Sequence, residues 1–170
     1  MIKRILTIAT IVLGFLMLVQ PQVIAQEKKN IERPSKCEVK QIDEFVTKTF
    51  DAYDESKKIT EDVNFIKVEG DPKTIKNGKG EELSKENALI QLGDLMNRAK
   101  KQNENIKTLQ DLQKPAQDAL KKCSITQKPK ATKNLGKGGE ALNEVIKQTK
   151  AQLELIEKQM NDIKTIKDSK

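Results

Sequence analysis

A chain of 170 residues without a single histidine lacks the usual acid–base side chain and a common metal-ligating ring. Histidine triads, histidine-ligated metals and di-iron Glu-x-x-His pairs are therefore excluded. The net charge of +7, from 32 Lys and Arg against 25 Asp and Glu, is mild beside that of a dedicated nucleic-acid binder.

The chain opens on Met1-Ile2-Lys3-Arg4, a short basic start. No charge follows from Ile5 to Val19, Pro21 breaks the run, and Val23 and Ala25 form a small-x-small pair before Gln26. That order reads as a secretory signal peptide, residues 1–25, with cleavage after Ala25. The apolar run is shorter than the ~20 residues of a membrane-spanning helix, so an uncleaved anchor is the weaker reading. After processing, the chain is not expected to be an integral membrane protein. No Cys follows the cleavage position, so the lipid-attachment signal of bacterial lipoproteins is missing. The mature chain from Gln26 to Lys170 is expected in the periplasm or outside the cell, as one ordinary domain. Its basic residues are all Lys except Arg33 and Arg98. Lys is a hydrated point charge without the planar fork that reads phosphate, so no specific nucleic-acid recognition is expected.

Residues 26–34 are polar and read as a disordered lead-in to a helical domain over 35–170. Ser35-Lys36-Cys37-Glu38 has the S-x-x-E form of a capping box. Apolar residues then recur at helical spacing: Val39, Ile42, Val46, Phe50, Tyr53, Ile59, Val63 and Ile66. Gly70-Asp71-Pro72 ends the pattern, which predicts a first helix over 36–68. Residues 73–80 read as a loop. A second helix is predicted over 83–122, with a stripe through Leu92, Met96, Ala99, Leu109, Leu112 and Ala116. Asn103 falls on the same face as a candidate polar register residue, and Pro115 is expected to kink or split the helix. Residues 124–139, with Pro129 and Gly136-Lys137-Gly138-Gly139, read as a connection and flexible helix entry. A third stripe, including Leu142, Val145, Thr149, Leu153, Ile156 and Ile163, predicts a helix over 140–167. Alternating β-branched runs are missing, so no strand is expected. The fold class is all-α, an antiparallel three-helix bundle with long helices and one disulfide. A faint likeness between 101–109 and 158–166 is explained by biased composition on two amphipathic helices.

The disulfide expectation rests on Cys37 and Cys123, an even pair in an exported chain. If the first two helices are antiparallel neighbours, the start of one and the end of the other meet at one end of the bundle. The spacing is not C-x-x-C and no His completes a zinc site. No cofactor motif, Walker loop, nucleophile elbow or EF-hand loop occurs, so neither a cofactor nor a metal is expected. The acidic pairs Asp51 with Asp54 and Glu55, and Glu61 with Asp62, alternate with lysines and read as a solvated helix face.

Charge placement is the remaining signal. From residue 119 to 139 there is no acid, while Lys121, Lys122, Lys128, Lys130, Lys133 and Lys137 all occur. Lys28, Lys29, Arg33, Lys36 and Lys40 lie near Cys37, so one pole of the bundle is expected to be basic. The expected function is that of a small binding, adaptor or holdase-like protein, not an enzyme, that contacts an anionic surface or an acidic protein or polymer. The rival is a structural or assembly subunit of an envelope complex, using an apolar helix face beside which Phe45 and Phe65 lie. The leader makes a direct prediction: intact-mass measurement of the exported protein should give a chain beginning at Gln26, and a mature species retaining Met1 would favour the anchor instead.

Overall fold

The computed structural model describes residues 30–70 and 73–166. The expected signal peptide and residues 26–29 of the lead-in lie outside the described residues. Three helices dominate: α1 (Lys40–Asn64), α2 (Lys85–Lys122) and α3 (Lys128–Thr165). Between α1 and α2 run two short strands, β1 (Ile66–Glu69) and β2 (Thr74–Asn77), paired antiparallel with Ile66 opposite Asn77 and Glu69 opposite Thr74.

The helices alternate in direction and pack on one another pairwise. One apolar cluster joins the start of α1 (Ile42, Phe45, Phe50, Tyr53), the end of α2 (Leu109, Ala116) and the start of α3 (Ala131, Leu142, Val145). A second joins the end of α1 (Ile59, Val63), the hairpin (Ile66, Ile75), the start of α2 (Leu92, Leu95) and the end of α3 (Ile156, Ile163). The buried polar residues Ser56, Gln102, Thr149 and Gln152 fall between the two. The Gln102 side-chain amide donates to Thr149 Oγ1 at 2.9 Å, and that of Gln152 donates to the Ser56 carbonyl and to Thr60 Oγ1, both at 2.7 Å. A polar layer inside an apolar seam favours the register in which its members meet. The residue of α2 that serves this layer is Gln102; Asn103 is exposed.

Several expectations are corrected. The first helix ends at Asn64 rather than 68, because Ile66-Lys67-Val68-Glu69 and Thr74-Ile75-Lys76 alternate in and out of the core with the period of a strand. The hairpin is extended by the segment after it: Leu83 N donates to Ile75 O at 2.8 Å and Asn77 N to Glu81 O at 2.9 Å. Residues 73–80 are thus mostly strand and turn, and Gly80 takes a left-handed φ of +83° that the turn requires.

The capping box does not form. Glu38 is exposed at φ +66°, and the Asp43 carboxylate takes the amides instead, from Cys37 at 2.8 Å and from Glu38 at 2.9 Å. A carboxylate one helical turn inside reaches back over the entering chain and satisfies two donors together, which Glu38 alone cannot. Helix α2 runs unbroken through Pro115, which lies exposed, so the carbonyl it leaves unpaired faces water.

The third helix begins at Lys128, not 140, with Pro129 in its first turn where its missing N–H is harmless. The glycines of 136–139 are therefore inside a helix. At Gly138 an added Cβ would sit 2.7 Å from the Phe45 ring, while at Gly136 and Gly139 it would meet nothing within 4 Å. Gly138 thus permits α1 and α3 to approach closely. The other two glycines carry only the entropic penalty of glycine in a helix.

Gly136→Ala and Gly139→Ala should each stabilise the fold by about 0.4–1 kcal/mol in chemical denaturation. Gly138→Ala should instead destabilise it, since overpacking a fully buried ring costs about 1–3 kcal/mol. Equal effects at all three positions would show that Gly138 is not a close-packing site.

Candidate functional site

The lead-in residues from 30 onward are packed against the bundle rather than disordered, running antiparallel to α1 and α3. Ile31 is buried and its N–H donates to the Tyr53 hydroxyl at 3.4 Å. Lys137 Nζ donates to the Glu32 carbonyl at 3.2 Å, and Asn134 Nδ2 to the Ser35 carbonyl at 2.6 Å. The Arg33 guanidinium lies over the Phe50 ring, 5.6 Å from its centroid, and bonds both Asp51 at 2.7 Å and Asp54 at 3.0 Å. These contacts bring the chain to Cys37 at the end of the bundle where α2 finishes and α3 begins.

Arg98 on α2 makes the matching arrangement, with Nε on Glu55 at 2.8 Å and Nη1 on Asp62 at 2.7 Å. Hydrogen bonds to these carboxylates raise both guanidinium pKa values above their ordinary range. The carboxylates Asp51, Asp54, Glu55 and Asp62, expected to be merely solvated, thus form anchor points for the two arginines. They are exposed or half-exposed, so each fork contributes orientation more than stability.

The cysteines are not bonded to one another: both are free thiols, which corrects the expected disulfide. They do pack on the same apolar cluster, as antiparallel helices require, but each thiol donates to an acceptor of its own. Cys37 Sγ donates to Asp43 Oδ1 and Cys123 Sγ to the Leu120 carbonyl, both at 3.2 Å. Burial pushes the Cys37 thiol pKa up, so it stays protonated and unreactive near neutral pH.

All six candidate lysines are brought to this pole, though not in equal roles. Lys121 is paired with Asp118 at 2.8 Å, and that contact lowers the Asp118 pKa. Lys137 is half-buried and holds the Glu32 carbonyl. Lys122, Lys128, Lys130 and Lys133 are exposed and have no carboxylate partner among the described residues. Lys36 and Lys40 add exposed positive charge beside them. Four of the six lysines sit on the first three turns of α3 rather than in a loop, so their spacing is held by the helix.

Between the lysines, Ser124-Ile125-Thr126-Gln127 turns the chain from α2 into α3. Lys128 N and Gln127 N donate to the Ser124 carbonyl at 3.0 and 3.1 Å, and Ser124 Oγ donates to Gln127 Oε1 at 2.9 Å. At the apex Ile125 is 90% exposed. The isoleucine and its rigid setting are the part of this pole that charge counting along the sequence missed. An apolar residue within the acid-free segment was the available signal.

Elsewhere, the open groove around Met96, Leu153 and Met160 and the one around Phe65, Leu95 and Arg98 gather no nucleophile–base pair. Among the described residues no cluster of three or more Cys, Asp or Glu is placed to hold a metal ion. No described helix is long and apolar enough to cross a membrane. No family model, curated protein or solved structure matches this chain.

The two thiols should label at different rates in the native protein. Cys123, half-buried at the pole, should react with iodoacetamide at neutral pH roughly tenfold faster or more than buried Cys37, the two converging in denaturant. Peptide mapping after timed quenching reads this, and equal native rates would contradict the burial and raised pKa of Cys37.

Proposed function

We propose that this chain is an exported helical-bundle binding protein, an adaptor or holdase-like module without enzymatic activity, whose basic pole contacts anionic partners. The observation that carries this reading is the state of four lysines. Lys122, Lys128, Lys130 and Lys133 are exposed without a carboxylate partner, while both described arginines are engaged in carboxylate forks. The first turn of α3 makes the point sharper. It holds Lys128 and Lys130 and no acid, although the partial positive charge of a helix N-terminus favours Asp or Glu there. A local arrangement that opposes its own helix dipole, with no internal ion pair in return, is what a contact surface for an external anion looks like. The order of residues 1–25, read as a cleavable leader, is the ground for proposing export, and the packed lead-in supports a rigid pole rather than a loose tail.

The rival reading, an assembly subunit with an apolar helix face, has less behind it. Phe45 is fully buried beneath Gly138, and among the described residues the exposed large apolar side chains are Phe65, Ile90 and Ile125, the last at the opposite end of the bundle from the other two.

Replacing Lys122, Lys128, Lys130 and Lys133 by Gln should weaken binding to an acidic polymer such as polyphosphate, with moderate salt having the same effect. The same variant should keep its helical circular dichroism and a melting temperature close to or above that of the parent, because the removal of Lys128 and Lys130, which oppose the α3 dipole, offsets the removal of Lys122, which complements that of α2. Lys137 is left in place since it holds the lead-in. Binding that survives both the four substitutions and high salt would sink the basic-pole reading.

A further inference from the structure

The anionic partner can be narrowed by the one residue at the pole that charge does not explain. We propose that the α2–α3 turn docks on an anionic lipid bilayer, with Ile125 entering the headgroup region and the surrounding lysines lying on the lipid phosphates. This rests on the basic-pole reading and adds to it a partner class and an inserting residue.

Three observations point to a membrane surface rather than a soluble polyanion. The first is exposure: Ile125 is 90% exposed, against 41% for Phe65 and 57% for Ile90, the other exposed large apolar side chains among the described residues. A polyphosphate offers an isolated isoleucine nothing, whereas a bilayer interface takes apolar side chains and phosphate-bound cations in adjacent layers. The second is rigidity. Ile125 does not hang from a loose loop: Ser124 ties both ends of the turn, Ser124 Oγ shares a hydrogen bond with Thr126 Oγ1 at 3.0 Å, and Gln127 Nε2 reaches the Glu38 carbonyl at 3.5 Å. The apex is therefore held outward without paying ordering entropy on docking.

The third is the charge frame. Lys121 and Lys122 end α2 and Lys128 and Lys130 begin α3, so both sides of the apex carry paired lysines. Of the carboxylates nearby, Asp118 is engaged with Lys121, Asp43 faces the Cys37 and Glu38 amides, and Glu38, exposed beside Gln127, is outnumbered by the surrounding lysines. Lysine is suited to this role, since it contacts diffuse phosphate charge without demanding bidentate geometry. Several lysines acting with one apolar side chain combine electrostatic attraction to anionic lipid with burial of apolar area, the two contributions that interfacial binding sums.

The absence of tryptophan from the whole chain makes the test clean. The protein purified after export is taken as wild type and as the Ile125→Trp, Ile90→Trp, Ile125→Leu and Ile125→Asn variants. Each is titrated with vesicles of phosphatidylglycerol and phosphatidylcholine in equal parts, with vesicles of phosphatidylcholine alone, and with polyphosphate. The expected result is blue-shifted emission of the Ile125→Trp variant on the anionic vesicles, quenched by brominated acyl chains. The Ile90→Trp variant, at the far end of the bundle, should show neither change. Ile125→Asn should weaken partitioning to anionic vesicles roughly tenfold or more, Ile125→Leu should not, and polyphosphate binding should be equal for wild type and all four variants, since none of them alters the charge of the pole.

Salt-sensitive vesicle binding in which the Ile125→Trp emission stays that of a solvated indole, with Ile125→Asn partitioning like wild type, overturns insertion and leaves the basic pole standing. Binding to polyphosphate without binding to vesicles overturns the lipid partner in favour of a soluble polyanion. Binding to neither overturns this proposal and the basic-pole reading together.

Discussion

The structure depends on a mismatch of lengths. Helices α2 and α3 have 38 residues each, and α1 has 25. At 1.5 Å per residue the long pair extends ~57 Å and α1 only ~37 Å, so about a third of the apolar seam between α2 and α3 would lie bare. The hairpin covers it. Ile66 and Ile75 enter the core where further turns of α1 would have been, beside Leu92 and Ile163. Covering the seam with a sheet also returns the chain to the start of α2 with a short connection. One end of the molecule is thereby closed by strands, and the other is left to the lead-in and the α2–α3 turn.

The interior is divided as well. Two apolar clusters flank a layer in which Gln102 meets Thr149 and Gln152 meets Ser56 and Thr60. Sliding any helix by one turn would bury these amides against aliphatic side chains, and an unpaired buried amide is costly. The polar layer thus disfavours the wrong registers, while the close approach of Phe45 to Gly138 locks α1 onto α3 at the pole.

The two kinds of cation divide the work. Arginine, whose planar fork matches carboxylates, is spent internally: Arg33 fastens the lead-in to α1 and Arg98 fastens α2 to α1. Lysine is left outward, concentrated where the entering chain, the end of α2 and the start of α3 converge. The pole can therefore meet an external anion without dismantling any internal ion pair except that of Lys121 with Asp118. The same convergence sets the apex isoleucine in the middle of the charge, a juxtaposition of segments far apart along the chain.

The sequence by itself determined the helical class, the three apolar stripes and the accumulation of lysine between residues 119 and 139. Those features are local: a 3.6-residue period and a run without acids are visible in any short window. It also placed Cys37 and Cys123 at one end, since alternating helix directions follow from short connections. Only the tertiary structure decided the rest. Ile66 to Lys76 is a hairpin because the short α1 leaves a seam to cover, although its alternation spans only a few residues on either side of the Gly70 turn and is easily lost beside a strong helical stripe. Residues 128–139 are helical because Ala131, Asn134 and Gly138 give a face small enough for α1 and the lead-in to approach, and that packing overrides the low helix propensity of glycine. The thiols are separate because Asp43 and the Leu120 carbonyl each hold one, a matter of atoms rather than of spacing. And Asp43, not Ser35 or Glu38, receives the amides before α1, since the entering chain turns at a positive φ that the sequence pattern does not encode.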